Sequence, residues 1–304
     1  MSKKIIKDMG ASVRQKLLNL SQQTKRPFSE VLTYYMIERF IDRLSKSPYK
    51  NRFVLKGALM FVVWDLSDTR ATRDIDLLGK TQNSIENLTQ IIQEICRIEC
   101  LEDAVIFMAD SVECQPIQEQ NEYQGIRAYF NGELAKAKTR MQIDIGFGDI
   151  IFPKPSDVNY PTMLGMVSPA ILGYTPETLI AEKTHAMVRH GLRNSRMKDY
   201  FDVWVLSNQF VFEGARLAEA IQKTFLQREM EITGATTQIF DELVADNTKK
   251  AQWNSFVSNN VLTIVPDTFE EVIDRLKSFI QPIFEYNSRG KPFNSSWQCP
   301  GPWR

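Results

Sequence analysis

The sequence predicts an α+β protein: a short mixed sheet with flanking helices in the first half, and a mainly helical second half. Three observations carry this expectation. Strand-like alternation of apolar and polar residues is confined to segments before Pro153. Prolines at 153, 155 and 161 then punctuate the chain, and proline interrupts both helices and strand ladders. Beyond them, apolar residues recur at helical spacing over 176–190, 196–208, 213–227 and 267–285. Two domains are expected, 1–160 and 161–304, and a chain of 304 residues has room for both.

Residues 11–24 read as an amphipathic helix with Val13, Leu17, Leu18 and Leu20 on one side. In TKRPFSEVLTYYMIERFIDRL, Ser29 is placed as the N-cap of a second helix that buries Val31, Leu32, Tyr35, Met36, Phe40 and Ile41. A basic loop over 46–52 leads to a short strand at Phe53–Leu55. After Gly57, ALMFVVWDL reads as a buried helix, Ser67–Thr72 as a polar turn and RDIDLL as a strand. Ile85–Ile98 is expected to be helical. Ala104–Met108, Ile126–Phe130 and MQIDIGFGD at 141–149 are expected to be strands. The last stretch, NSRGKPFNSSWQCPGPWR, is rich in turn-formers and reads as a loose tail or one that orders on contact.

Composition narrows the function classes. Lys plus Arg and Asp plus Glu number 37 each, so no global positive field argues for a polyanion, which would have to be met by a local patch. Cys96, Cys100, Cys114 and Cys299 have no second ligand pair and read as free thiols in a reducing compartment. His185 and His190 accompany no Ser or Cys nucleophile motif and read as non-catalytic. No apolar run is long enough to span a bilayer and no signal region follows the basic start, so a cytoplasmic monomer without a membrane partner is expected.

The chemistry concentrates at Asp74-Ile75-Asp76, sixteen residues after Gly57-Ala58. Residues two apart on a strand share a face, so the two carboxylates point together while Ile75 and Leu77 enter the core. Like charges so placed repel unless a cation sits between them, and a hard ion such as Mg2+ takes oxygen ligands. In MQIDIGF, Met141, Ile143 and Ile145 fall on one face and Asp144 on the other. Asp144 on a neighbouring strand would complete a triad able to hold two metals across an in-line phosphoryl displacement, or would accept the proton of the attacking hydroxyl.

Three blocks in order carry a family resemblance: ASVRQKLLNLSQQTKRPFSEVLTYYMIERFIDRL, RFVLKGALMFVVWDLSDTRATRDIDLL and TPETLIAEKTHAMVRHGLRNSRMKDYFDVWVL. Together they resemble the AbiEii-type nucleotidyltransferases, toxins of type IV toxin–antitoxin and abortive-infection systems within the polymerase-β-like superfamily. The resemblance implies a polymerase-β-like nucleotidyltransferase core with a helical C-terminal domain. It implies transfer of a nucleoside monophosphate from an NTP to an RNA acceptor, with tRNA 3′ ends leading, growth arrest as the outcome, and a cognate antitoxin encoded nearby. A protein hydroxyl or a small molecule is the rival acceptor, and a non-catalytic nucleotide sensor the rival outside enzymology. The superfamily pattern has Gly-Ser or Gly-Gly where this chain has Gly57-Ala58, which removes a hydroxyl but leaves backbone N–H groups able to cradle phosphates. Lys56, Arg70 and Arg73 lie near enough in sequence to neutralise phosphates, Arg73 foremost.

The second half offers another wall. Thr175-Pro176-Glu177 is a helix start, and Lys183 falls in the stripe of Leu179, Ala186 and Met187. Such a lysine needs an anionic partner or snorkels at the core edge. The resemblance favours a nucleotide-phosphate role for it. Glu182 falls off that stripe and reads as a solvated charge. Arg189, Arg193, Arg196 and Lys198 form an acid-free run, with Arg193 and Arg196 the candidate RNA contacts. In KDYFDVWVL, Asp202 sits in an apolar run and needs pairing, with Lys183 or a linker arginine as candidates. Which of Asp199 and Asp202 orients Lys183, and which meets substrate, stays open from sequence.

Overall fold

The structure is a computed structural model describing residues 8–66, 72–117, 125–260, 262, 264–288 and 293–304. Its contacts divide the chain into two units. The first takes residues up to Asp65, Thr72–Gly148 and Asp157–Gly173; the second takes Asp149–Ser156 and Tyr174–Arg304.

The first unit is built on a seven-stranded sheet in the order β3-β4-β5-β2-β1-β7-β6. The strands are β1 (Phe53–Lys56), β2 (Asp74–Gly79), β3 (Val105–Pro116), β4 (Ile126–Leu134), β5 (Ala137–Gly146), β6 (Ser156–Asn159) and β7 (Ala170–Gly173). Pairing is mixed: β1–β2, β3–β4 and β4–β5 are antiparallel, and β2–β5 and β1–β7 are parallel. The alternation read from sequence is what the sheet buries. Ile75 and Leu77 on β2, Ala128 and Phe130 on β4, and Ile143 and Ile145 on β5 are all buried. The helices of this unit are α1 (Met9–Thr24), α2 (Phe28–Lys46), α3 (Leu59–Val63) and α4 (Ile85–Cys96). Phe40 of α2 meets Phe107 and Phe130 of the sheet with ring centroids 5.8 and 5.0 Å away.

Helix α2 is buried on more than its apolar stripe. Besides Val31, Leu32, Tyr35, Met36, Phe40 and Ile41, it buries Arg43, whose guanidinium donates to both oxygens of Asp103 at 2.7 and 3.2 Å and to the carbonyls of Ile98 and Val105. That is how a charge survives in a core: paired and fully hydrogen-bonded.

The second unit holds α5 (Pro176–His190), α6 (Met197–Gln209), α7 (Gly214–Gln227), α8 (Gly234–Ala245), α9 (Asn247–Ser258) and α10 (Phe269–Ser288), with a small ladder of β8 (Phe212–Glu213) and β9 (Ser296–Trp297). The start of α5 follows its cap: the Thr175 side chain accepts from the Thr178 amide and Pro176 takes the first position.

Four expectations need correction. Ser29 is not the cap of α2: the helix begins at Phe28 after Pro27, and the Ser29 carbonyl accepts from Thr33 Oγ1 at 2.9 Å inside it. The helix after Gly57 is shorter than the run ALMFVVWDL suggested: it spans Leu59–Val63, and Trp64, Asp65 and Leu66 lie outside it. The sheet does not end at the proline cluster: β6 lies between Pro155 and Pro161, and β7 beyond them returns to pair in parallel with β1. The C-terminal tail is not loose. Trp297 is fully buried and donates Nε1–H to the Ser207 carbonyl at 2.7 Å, and Trp303 stacks on Phe279 with centroids 5.6 Å apart.

Candidate active site

Register places the carboxylates. Asp74 pairs with Gln142 and Asp76 with Asp144 across β2–β5, so all three acids share one half-exposed face while Ile75 and Ile143 face the core. The same row extends both ways. Lys56 on β1 is opposite Asp76, and Arg127 on β4 is opposite Asp144. Four adjacent strands therefore present Lys56, Asp76, Asp144 and Arg127 in line, two acids flanked by two cations, with Asp74 two residues before Asp76 on the same face.

Two details fix the conformation of that row. Gly57 has φ +67°, and a Cβ there would stand 2.1 Å from Asp76 Oδ2 and 2.8 Å from its Cγ. Glycine is thus required twice over, for its left-handed backbone and for the room in which the Asp76 carboxylate lies. At the other end, Arg127 grips Asp144 in a fork, Nε to Oδ1 and Nη2 to Oδ2, both at 2.7 Å, and Gln142 Nε2 adds a third bond to Oδ1 at 3.1 Å. Asp144 in turn pushes the Arg127 guanidinium pKa upward. A carboxylate has about four lone-pair positions, so Asp144 keeps one, on Oδ2. The sequence reading did not single out Arg127, although the alternation of Ile126, Ala128 and Phe130 already sends Arg127 to the polar face.

The three carboxylates share a face without being gathered into a closed cage. Among the described residues, the three acid or thiol groups whose ligand atoms lie within 4.8 Å of one another are Asp42, Cys100 and Asp103. That cluster has its cations already: Arg43 on Asp103 and Lys46 on Asp42, each at 2.7 Å. We read it as part of the core; Asp74 and Asp76, by contrast, are half-exposed and offer only oxygen, the ligand type a hard cation takes.

The remaining candidates on this unit are placed as follows. Ala58 is buried and begins α3, and the amides of Met60 and Phe61 donate back to the Gly57 and Ala58 carbonyls. Arg73 is exposed immediately before β2. Arg70 lies outside the described residues.

In the helical unit, Lys183 is 9% exposed and its ammonium is held by Asp199 Oδ1 at 2.8 Å and Asp202 Oδ2 at 2.7 Å. Both acids are buried on α6. Arg196 Nε reaches Asp199 Oδ2 at 3.3 Å. Neither aspartate alone orients the lysine; both do, and two cations face two carboxylates. Arg189 and Lys198 are exposed, as are the candidate RNA contacts Arg193 and Arg196.

Glu182 is not solvated. It accepts from Tyr174 Oη at 2.9 Å and sits 3.8 Å from Arg228, which also binds Asp149 at 2.8 Å and His185 Nδ1 at 3.2 Å. Burial, and then the neighbouring guanidinium, hold the His185 pKa down at about 4. The ring is neutral at pH 7, and since Arg228 only donates, Nδ1 accepts.

Comparison with known proteins gives the family. A family model described as Nucleotidyl transferase AbiEii toxin, Type IV TA system, matches residues 39–275. The chain belongs to the AbiEii nucleotidyltransferase toxin family. It is therefore a nucleotidyltransferase and the toxin member of a type IV toxin–antitoxin pair, which implies a nucleotide substrate and an antitoxin partner. A solved Helicobacter pylori structure provisionally described as a nucleotidyltransferase shares the fold, with TM-score 0.50 and 14% identity over 87% of this chain and 98% of that one. JHP933 from Helicobacter pylori has TM-score 0.49 and 14% identity, covering 85% of this chain and 94% of that one. No curated protein sequence matches the chain. Among the described residues, no helix is long and apolar enough to cross a membrane.

Proposed function

We propose that this AbiEii-family chain transfers a nucleoside monophosphate from an NTP to an RNA acceptor, with a tRNA 3′ end as the favoured target, and that this arrests growth. The observation that carries the reading is the β2–β5 register, which sets Asp76 beside Asp144 and Asp74 two residues along the same face. A set of carboxylates on one half-exposed face fits a divalent ion such as Mg2+, which would lower the repulsion within the set and neutralise phosphate charge when bound. Asp74 and Asp76 would hold it. Asp144 would join through its remaining Oδ2 position, or accept the acceptor hydroxyl's proton once Arg127 yields. Gly57 keeps Asp76 in place, and Gly57, Ala58 and Arg73 would face the nucleotide phosphates.

In the helical unit, Lys183 is proposed as a phosphate-binding cation whose position Asp199 and Asp202 fix. Arg193 and Arg196 are proposed to meet RNA phosphates. Catalysis of this kind is mainly positioning and charge neutralisation, which suits a site made of charged side chains on rigid strands.

The test is to incubate the full chain with magnesium and each labelled NTP, with and without total tRNA. Label on tRNA, lost in Asp74→Ala, is the expected result. Label on a protein or small molecule instead would overturn the acceptor. Asp74→Ala arresting growth as strongly as the wild type would overturn the metal-carboxylate assignment.

A further inference from the structure

The helical unit contains a cavity of ≈ 550 Å³ between the first turn of α6 and the end of α9. Its size falls in the ~300–1,000 Å³ range of small-molecule sites. Arg196, Lys198, Gln252, Phe256, Asn259 and Asn260 surround it, and no acidic side chain is among the described residues that line it. We propose that this cavity seats one nucleotide of a single-stranded RNA, its phosphate at Arg196 and Lys198 and its base against Phe256. The inference rests on the RNA-acceptor reading and deepens it by giving the strand a place.

Charge is the first argument. Arg196 and Lys198 are exposed and line the cavity, where their positive charge would attract a phosphate. Behind the wall lies a third cation. Lys249 is 1% exposed and donates to the Asn194 carbonyl at 2.7 Å and to Gln252 Oε1 at 3.0 Å. Among the described residues no carboxylate forms an ion pair with it. Asp246 attracts it without forming an ion pair, burial still holds its pKa down, and an anion in the adjoining cavity would add to that attraction.

The amides supply the second argument. Gln252 spends its carbonyl on Lys249, so its NH2 remains as a donor. Asn259 Nδ2 donates to Ser255 Oγ at 3.2 Å and Asn260 Nδ2 to the Phe256 carbonyl at 2.7 Å, which leaves their Oδ1 atoms as acceptors. One donor and two acceptors around an aromatic ring match the mixed edge of a nucleobase better than a bare anion. Phe256 is half-exposed and backed by Trp253 and Phe201, with centroids 5.5 and 5.6 Å away, so it is a fixed platform. A base reaches such a platform only when it is free of duplex stacking, which selects a single strand.

A phosphate here would also be felt by the lysine. Arg196 binds Asp199, and Asp199 binds Lys183. Drawing Arg196 toward a phosphate would leave Asp199 more strongly on Lys183, tying occupancy of the cavity to the setting of that cation.

The test is fluorescence anisotropy of a short labelled single-stranded RNA with the full chain, using Phe256→Leu and Lys198→Gln, with a free nucleoside monophosphate as competitor. Each substitution is expected to weaken RNA binding roughly tenfold, the scale of one base stack, and Lys198→Gln to reduce the log–log salt slope by about 0.7. Lys198 is exposed, so its variant keeps the test decisive if Phe256→Leu fails to fold. Unchanged binding by the folded variants, with tRNA still labelled by the enzyme, would overturn the cavity and leave the acceptor reading standing. A wild type that neither binds nor labels RNA would overturn both. Competition by the monophosphate at the same concentration as the RNA would overturn the strand as the ligand.

Discussion

The sheet sets carboxylate beside carboxylate, whereas the helical unit sets each carboxylate on a lysine. On the sheet, Lys56, Asp76, Asp144 and Arg127 form a half-exposed row with Asp74 on the same face. In the helical unit, Lys183 and Arg196 face Asp199 and Asp202, both nearly inaccessible to solvent. The first arrangement sets three carboxylates on one half-exposed face, where the proposed ion would bind. The second balances its own charge, and its burial makes every partner necessary. One region is built to gain a charge from outside, the other to hold a charge still. Substitutions should therefore separate the two, one set acting on activity and the other on stability.

The largest effect is expected at Asp76→Asn. The shape survives and the ion seat loses a ligand and a charge, so transfer activity should fall about a thousandfold or more, the several kcal/mol a metal supplies to charge stabilisation. The melting temperature should hold or rise, since repulsion within the row is relieved. A melting temperature that falls with the activity would break the comparison. Next comes Asp202→Ala, expected to cost about 3–5 kcal/mol by denaturant titration, because it leaves a buried lysine with one carboxylate fewer and a cavity in α6. A loss under ~1 kcal/mol would show that Lys183 reaches water and that the helical cluster is not closed.

Much of the sheet site was legible before any coordinates. Period-two alternation fixed the face of Asp74, Asp76 and Asp144, since one buried face determines every other residue on a strand. Register was not legible. That Asp76 stands beside Asp144, with Lys56 and Arg127 at the ends of the row, depends on which strands pair, and β2 finds β5 across β3 and β4. The contact between Gly57 and Asp76 was hidden for the same reason. In the helical unit, the need of Asp202 for a cation could be read from its apolar neighbours, but not that Asp199 would share Lys183. Helices α8 and α9 were missed: residues 234–258 lack a strong apolar stripe, and their burial comes from neighbours such as Trp253 against Phe269. The tail misled because Gly, Pro and Ser describe its backbone, whereas Trp297 and Trp303 decide its fate.

A smaller effect tests the closed region by pH. His185 has a pKa held down at about 4 against an ordinary value of 6.5. Between these values the unfolded chain binds the proton and the folded one does not, so stability rises with pH across that window. The contribution is complete above pH ~6.5 and lost as pH falls toward ~4, on the order of 2–3 kcal/mol. Comparing His185→Gln with wild type in denaturant melts at successive pH values isolates it. Parallel stability–pH curves would mean that the ring near Arg228 is open to protonation when folded.

The smallest expected change in stability, and the most informative about the open region, is at Arg127→Ala. The Arg127 and Asp144 side chains are 31% and 20% exposed, and pairs so placed are worth about 1 kcal/mol or less, so folding should barely change. Ion binding should change. With the fork removed, Asp144 Oδ2 is released, Oδ1 keeps only Gln142, and a competing positive charge is gone, so Mn2+ affinity measured by electron paramagnetic resonance without nucleotide should tighten roughly three- to tenfold, the same ~1 kcal/mol expressed as binding. The NTP should then bind more weakly if Arg127 also meets its phosphates. Should the Mn2+ affinity stay unchanged, Asp144 belongs to Arg127 rather than to the ion, and the seat contracts to Asp74 and Asp76. The sheet would then resemble the helical unit at one end of its row, with an acid bound to its own cation, and differ from it where Asp74 and Asp76 stand together on a half-exposed face.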